Sequence, residues 1–218
     1  MLESEYNKRR RLPRHLRRSP EGERPFSYEI RPATLADMPD VREIYNYYVR
    51  NSVVTFDEKP WTHTQWREKF EYLHRLGLPF LVAVAPTGQV LGYALASPWS
   101  GKSSFRYTAE NSIYLGPGAA GKGLGKALLE AHIEACEEFG LHEIVAVISD
   151  RSAEASIALH EKFGFREVGR MGRVGFKFGR WLGTIYLQKS LKGRKRPGPL
   201  SRMFGRAGAR ERAPQRRG

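Results

Sequence analysis

The sequence predicts a mixed α/β fold of the α+β type, built on a largely antiparallel sheet with one or two parallel neighbours. The first observation is the order of apolar segments, which is strand, two helices, three strands, helix, strand, helix, two strands. The second is a pair of short apolar runs on either side of the turn PTGQ (86–89), which is typical of a β-hairpin. The third is a glycine-rich turn, GPGAAGKGLG (116–125), that joins a strand to a helix.

The first third of the chain predicts one strand and two helices. Residues 28–31 begin a strand, and Thr34 is a helix N-cap by residue type. The helix that follows has apolar residues at helical spacing, namely Met38, Val41, Ile44, Tyr45 and Tyr48. A second helix is expected over 64–76, with Trp66, Phe70 and Leu73 on one face.

The remaining elements follow from strand-length apolar runs and one long helical pattern. Strands are expected at 80–85, 90–97, 107–115, 142–148, 165–168 and 184–188, and helices at 124–139 and 155–163. The run HEIVAVI (142–148) is apolar without interruption at its centre, as in a strand buried on both faces. This strand is expected inside the sheet, which has one or two parallel neighbours.

Charge divides the chain into a domain and two tails. The net charge is +14, but residues 1–25 carry +4 and residues 192–218 carry +9, which leaves +1 for the middle. The tails are rich in Arg, Pro and Gly and too poor in apolar residues to offset the entropy of ordering. We expect disordered extensions at 1–26 and 192–218 around a domain at 27–191, with incidental affinity of the tails for polyanions.

Composition also bears on the compartment. No apolar run is long enough to span a bilayer, and no apolar segment follows the basic N-terminus as in a secretory signal. The single cysteine, Cys136, suits a reducing compartment. A cytoplasmic location without membrane contact is expected.

The glycine-rich turn is the most informative segment, because a strand–glycine loop–helix unit binds phosphate groups through backbone N–H groups. Residues 116–123 match the P-loop pattern except that Gly123 replaces the Ser or Thr that holds magnesium. Gly116, Gly118 and Gly121 match the dinucleotide pattern G-x-G-x-x-G, but no acidic residue ends a strand about 20 positions later. Neither of these two interpretations fits its context.

A third interpretation comes from a resemblance that covers residues 27–191. The segments IRPATLADMPDVREIYNYYV (30–49), ENSIYLGPGAAGKGLGKALL (110–129), ASIALHEKFGF (155–165) and VGFKFGRW (174–181) resemble the phosphinothricin acetyltransferase branch of the GNAT superfamily. The resemblance implies helices on both faces of the sheet and two splayed central strands. It also implies acetyl-CoA as the co-substrate, bound in the V-shaped opening between those strands.

The same resemblance implies which residues hold the cofactor. The pantetheine arm would pair with the backbone of Ile113, Tyr114 and Leu115, as an added strand does. The pyrophosphate would lie on the N–H groups of Gly121, Lys122, Gly123, Leu124, Gly125 and Lys126. Ala120 stands where the family often has Gln or Arg, and Ala153 stands where it often has Asn. Ser152 or Ser156 is expected to replace that Asn.

Acetyl transfer to an amine needs a base for the ammonium proton, an N–H donor for the oxyanion and an acid for the thiolate. The resemblance places Glu110 as the base and His160 as the acid. The backbone N–H of Leu115 is the expected oxyanion donor. No metal is expected, because His132 and Cys136 share a helix face without a third or fourth ligand.

The expected acceptor is the amino group of a small amino-acid-like molecule such as phosphinothricin, methionine sulfoximine or methionine sulfone. The residues expected to bind it are Trp99, Phe105, Arg106, Tyr107, Asn111 and Ser112. Arg106 would pair with the acceptor carboxylate, while Lys177, Arg180 and Trp181 close the site or form a homodimer contact. The alternatives are a protein N-terminus or a polyamine as acceptor, or a catalytically weak fold whose tails bind polyanions.

Overall fold

The computed structural model describes residues 26–151 and 154–192, so both extensions and Ser152 lie outside the described residues, apart from Phe26 and Lys192. The strands are β1 (Glu29–Pro32), β2 (Phe80–Val84), β3 (Val90–Pro98), β4 (Thr108–Leu115), β5 (Glu143–Ser149), β6 (Arg166–Lys177) and β7 (Arg180–Ser190). The helices are α1 (Met38–Asn51), α2 (His63–Leu76), α3 (Leu124–Phe139) and α4 (Glu154–Lys162). The predicted order of strands and helices is confirmed.

The sheet has seven strands in the order β1-β2-β3-β4-β5-β7-β6. Every neighbouring pair is antiparallel except β4 and β5, which are parallel. The α1 and α2 side chains Val41, Trp66 and Leu73 pack on one face, and the α3 side chains Leu128, Leu129 and Ile133 pack on the other. The predicted fold class, with helices on both faces, is therefore confirmed.

The two central strands separate halfway along their length. β4 pairs with β5 only from Thr108–Glu143 to Asn111–Ala146. Beyond this point residues 112–115 pair only with β3, and residues 147–149 pair only with β7. This confirms the expected splay, and it leaves one edge of β4 without a strand partner.

The last hairpin is longer than the sequence indicated. β6 and β7 have 12 and 11 residues, whereas strands were expected only at 165–168 and 184–188. Gly169, Gly172, Gly175 and Gly183 interrupt the apolar alternation, and the β6–β7 register shifts twice. Most of β6 is exposed, so its sequence does not alternate between apolar and polar residues as a half-buried strand does.

Local signals fix the helices that carry the site. Thr62 Oγ1 accepts the Gln65 N–H (3.2 Å) and Gln65 Oε1 accepts the Thr62 N–H (2.8 Å), which is a capping box at the start of α2. Thr34 caps a short 3-10 turn (Leu35–Asp37) before α1, and its N–H donates to the Asp37 carboxylate at 2.7 Å. Among the described residues, no helix is both long and apolar enough to cross a membrane.

Candidate active site

The opening between β4 and β5 forms a cavity of about 320 Å³, which we call the cofactor cleft. Its walls come from the unpaired halves of β4 and β5, from Gly125 at the start of α3 and from α4. Gly116 N–H donates to Leu91 O at 2.8 Å, which fixes the hydrogen-bonding pattern of β4 with β3. Every second residue of β4 bonds to β3, and the backbone groups of the residues between them point away from β3. Ile113 and Leu115 therefore point their backbone groups into the cleft.

Tyr114 differs from the expectation for the pantetheine arm. It lies between Ile113 and Leu115, so its backbone groups point towards β3 rather than into the cleft. Its side chain instead packs among aromatic rings on the opposite face of the sheet. Of the three residues, Ile113 and Leu115 offer the free strand edge, and the Leu115 carbonyl already accepts the Tyr48 hydroxyl at 2.7 Å.

The glycine-rich turn ends at the first residue of α3. Gly123 is the N-cap residue with φ 82°, and no side chain caps the helix. The N–H groups at the start of α3 consequently have no acceptor within the helix and remain available for an anion. Gly125 lies against β4, where an added Cβ would be 3.3 Å from Leu115 Cδ1.

The side chains of this turn have different surroundings. Leu124 is fully buried in the core, so only its N–H can face a phosphate. Lys122 and Lys126 are exposed, and Lys122 Nζ lies 4.7 Å from the centre of the Phe26 ring. Gly121 has φ 76°, which a residue with a side chain rarely adopts.

A second cavity of about 430 Å³ lies on the α1–α2 face of the sheet, and we call it the acceptor cavity. Six aromatic side chains line it, namely Tyr45, Phe56, Trp61, Trp66, Tyr93 and Tyr114. It shares five lining residues with the cofactor cleft, namely Val54, Glu110, Ser112, Tyr114 and Val147. The two cavities thus meet at the point where β4 and β5 separate, and Glu110 lies at that junction.

Glu110 is half-buried, and burial raises the pKa of its carboxyl group. The Lys69 ammonium opposes this shift and lowers that pKa. Lys69 Nζ donates to Ser97 Oγ at 2.9 Å, and Ser97 is the β3 residue directly opposite Glu110. A carboxylate and an ammonium therefore lie beside the same part of the acceptor cavity.

Asp57 contributes a second carboxylate to the acceptor cavity. Its Oδ2 atom accepts hydrogen bonds from the Tyr45 hydroxyl and the Trp61 indole N–H, both at 2.6 Å. The loop that carries Asp57 is also held by Lys177, whose buried Nζ donates to Thr55 O at 2.9 Å. The β6–β7 hairpin thereby supports the loop that forms one side of the cavity.

His160 lies in the cofactor cleft with both ring nitrogens bonded. Its Nδ1–H donates to Ser156 O (2.8 Å), which leaves Nε2 to accept from Asn111 Nδ2 (2.9 Å). Burial lowers the pKa of the imidazole. This neutral, fully bonded ring carries no proton on Nε2, so the geometry does not favour the predicted role of general acid.

The residues expected to bind the acceptor are only partly brought together. Ser112 lines the acceptor cavity, whereas Asn111 is on the opposite face of β4 and lines only the cofactor cleft. Trp99 and Phe105 line a separate cavity of about 450 Å³ over β5, β6 and β7.

Arg106 and Tyr107 also lie away from the acceptor cavity. The Arg106 guanidinium stacks over the Tyr107 ring (4.7 Å), and that ring stacks on His142. The reason is that both residues precede Thr108, where β4 and its pairing with β5 begin, so they lie outside the sheet at the end far from the splay. Arg106 is exposed there and does not reach Glu110.

Sequence reasoning missed Lys69 and Asp57. Lys69 follows Trp66 by three residues and precedes Leu73 by four, so it interrupts the apolar face of α2. That interruption is a signal that could have identified it. Asp57 lies in a loop without periodicity, and its role depends on contacts with α1 that only the fold shows.

Comparisons with known proteins agree with this architecture. The family model described as the acetyltransferase (GNAT) family matches residues 41–165. The chain is 42% identical over 166 residues to an L-methionine sulfoximine/L-methionine sulfone acetyltransferase of Pseudomonas paraeruginosa, covering 76% of this chain and 96% of that protein.

Two solved structures are similar over most of the chain. One is a phosphinothricin acetyltransferase from Sinorhizobium meliloti in complex with acetyl-CoA, with 37% identity, a TM-score of 0.74 and coverage of 80% of this chain and 97% of that one. The other is a ribosomal-protein-alanine N-acetyltransferase from Brucella melitensis, with 40% identity, a TM-score of 0.72 and coverage of 75% and 99%.

Proposed function

Because this chain belongs to the GNAT family of acetyl-CoA-dependent N-acetyltransferases, we propose that it acetylates the amino group of a small amino-acid-like acceptor, with Glu110 as the general base. The acceptor class is supported by the relatives named for phosphinothricin and for methionine sulfoximine and sulfone. The observation that carries the proposal is the junction of the cofactor cleft and the acceptor cavity at Glu110.

The cofactor cleft fits acetyl-CoA. The free backbone edge at Ile113 and Leu115 can pair with the amide groups of pantetheine, and the uncapped start of α3 can hold the pyrophosphate. Asn111 Oδ1 is buried and has no hydrogen-bond partner among residues 26–151 and 154–192. We assign it to the cofactor arm rather than to the acceptor.

Glu110 acts on the acceptor as it enters from the other cavity. Acetyl-CoA, when bound, supplies the thioester carbonyl that the amine attacks. The acceptor arrives mainly as an ammonium ion, and Glu110 removes its proton directly or through one water. The raised pKa of this carboxyl group makes it a stronger base than an exposed glutamate, while the Lys69 ammonium favours its ionised form.

The donor for the developing oxyanion is Ile113 rather than Leu115. Leu115 lies five residues beyond Glu110, which is about 17 Å along a strand. Ile113 has the first N–H on the free edge beyond the β4–β5 pairing. Its distance along the strand from Glu110 is about 10 Å, which the glutamate side chain and the reacting groups can span.

His160 positions Asn111 in this proposal. Its Nε2 accepts a hydrogen bond from Asn111 Nδ2, which turns the Asn111 carbonyl oxygen away from the imidazole and leaves it free. The departing thiolate then takes its proton from the solvent or from the attacking nitrogen, which must lose one proton to become an amide.

Thiol release from acetyl-CoA tests the proposal. Wild-type protein is expected to release thiol with L-methionine sulfone, L-methionine sulfoximine or phosphinothricin. Glu110→Gln should lower kcat by about 10²- to 10⁴-fold, the range for loss of a general base. Glu68→Gln, on the exposed face of α2, is the matched control and should retain wild-type activity.

Two results would contradict the proposal in different ways. Full activity in Glu110→Gln would remove the assignment of the base and leave the reaction class intact. No release with any amine would remove the catalytic function altogether.

A protein N-terminus is the second candidate acceptor, because the chain is similar to the ribosomal-protein-alanine enzyme. The same screen should therefore include a peptide that begins with alanine. A kcat/KM for this peptide above that for every amino acid tested would favour the second candidate.

The proposal extends to a homodimer in the cytoplasm. The β6–β7 hairpin exposes Val174, Phe176, Phe178 and Trp181, each about half accessible to solvent. A second copy that covers this surface would remove an apolar patch from water. Light scattering on the purified chain should give twice the 24.9 kDa mass of the monomer.

A further inference from the structure

We propose that Lys69 is the residue that selects an acceptor with an anionic group next to its amine, so that the enzyme prefers zwitterionic amino acids over amines that lack an acid group. This inference rests on the proposed function and names the residue that recognises the acid group. It replaces Arg106, which lies outside the acceptor cavity.

The position of Lys69 on α2 is unusual for a charged side chain. It stands on the helix face that carries the buried Trp66 and Leu73. Instead of extending into solvent, its side chain crosses to β3 and donates to Ser97 Oγ at 2.9 Å. The ammonium is therefore part of the wall of the acceptor cavity.

The charge of Lys69 is only partly balanced. An ammonium has three N–H donors, and Ser97 takes one of them. Among the described residues, no carboxylate lies within 4.0 Å of Lys69 Nζ, since the ion pairs found there involve other residues. Burial lowers the pKa of this ammonium, and the more distant Glu110 is the charge that opposes the shift.

The arrangement matches the two charges of an amino acid. Ser97 and Glu110 are direct cross-strand partners, so the ammonium bound to Ser97 and the Glu110 carboxylate flank the same part of the cavity. An acceptor can place its own ammonium at Glu110 and its acid group at Lys69. An amine without an acid group satisfies only the first contact.

Asp57 disfavours the binding of an acid group at its own wall of the cavity. Asp57 lies on the wall formed by Tyr45 and Trp61, both of which donate to its carboxylate. An acid group placed there would face a like charge. Lys69 is thus the cation of the acceptor cavity that has donors to spare.

The test compares two acceptors that differ only in the acid group, namely L-methionine sulfone and its α-carboxamide, at a pH well above the titration of Glu110. Lys69→Met, Lys69→Arg and the wild type are assayed by thiol release, and each acceptor serves as its own reference. Lys162→Met, at the exposed end of α4, is the matched control.

We expect Lys69→Met to lower kcat/KM for the carboxylate by about 10- to 100-fold, the effect of losing a hydrogen bond to a charged group. Most of this loss should be a rise in KM. The same variant should change kcat/KM for the carboxamide by less than about threefold, and Lys69→Arg should recover part of the loss with the carboxylate.

Equal losses for both acceptors in Lys69→Met, with an unchanged unfolding midpoint, would overturn the assignment, because Lys69 would then act through Glu110 alone. A wild-type preference for the carboxamide would overturn it as well. No thiol release by the wild type with any amine would contradict the proposed function, and the inference would fall with it.

Discussion

Replacing Tyr45 with Phe removes one hydroxyl group that makes two hydrogen bonds to the loop that carries Thr55 and Asp57. The hydroxyl donates to Asp57 Oδ2 at 2.6 Å and, since its proton is used there, accepts from Thr55 Oγ1 at 2.9 Å. The ring stays in place among the aromatic side chains of the cavity. A hydrogen bond to a charged group contributes about 1.5–3 kcal/mol, and a neutral one about 0.5–1.5 kcal/mol.

The expected loss in the free energy of unfolding is about 2–3 kcal/mol, below the sum of the upper values, because Asp57 keeps the Trp61 indole as a donor. Tyr47→Phe is the matched control on the same helix, since Tyr47 is 43% exposed. It should change the free energy by less than about 0.5 kcal/mol. Urea unfolding followed by tryptophan fluorescence and by circular dichroism measures both values.

Tyr45→Phe should also raise KM for the acceptor without changing KM for acetyl-CoA, because Asp57 lines only the acceptor cavity. Equal unfolding free energies for the two tyrosine variants would refute the reasoning. So would a rise in KM for acetyl-CoA alone.

Three further outcomes follow from the structure. The acid limb of kcat/KM should titrate above the ordinary pKa range of a glutamate, since burial favours the protonated form of Glu110, and in Lys69→Met this limb should move to higher pH. Asp37→Asn should destabilise the fold at pH 7 by about 1–3 kcal/mol. Arg31, which is bonded to Asp37, lowers the pKa of that carboxyl group in the folded state. The difference in unfolding free energy between Asp37→Asn and the wild type should therefore shrink as the pH falls through this folded-state pKa. Gly92→Ala places a Cβ 2.9 Å from a β4 carbonyl oxygen and should weaken acetyl-CoA binding and lower stability by about 1–3 kcal/mol, whereas Gly101→Ala meets no atom within 4 Å and should do neither.

The sequence allowed the order of the elements to be predicted because each carries its own periodicity or cap. The helix at 124–139 has the bounds that its sequence predicted. In the structure, Gly123 and Gly140 end it on either side, and both adopt positive φ. The β6–β7 hairpin lacks such a signal. Its two strands contain four glycines, and burial does not alternate along β6, which is mostly exposed.

The parts of the site that lie close together in sequence were predictable, and those that depend on contacts between distant segments were not. Glu110 and the glycine turn belong to one continuous segment, and the structure places them at the cofactor cleft. The link between Lys69 and Ser97 spans 28 positions and forms only when α2 packs on β3. Arg106 had the right charge for an acid group but lies beyond the paired end of β4.

The free edge of β4 gives the folded protein a place where a small molecule completes its secondary structure. Without that molecule, residues 112–115 have a hydrogen-bonded neighbour on one side only, and the free N–H groups there should exchange their protons faster than those in the paired half of β4. A cofactor present at 100 times its Kd would add about 2.7 kcal/mol to the free energy of unfolding. The abundance of acetyl-CoA in a cell would then affect how much of this chain stays folded as well as its catalytic rate.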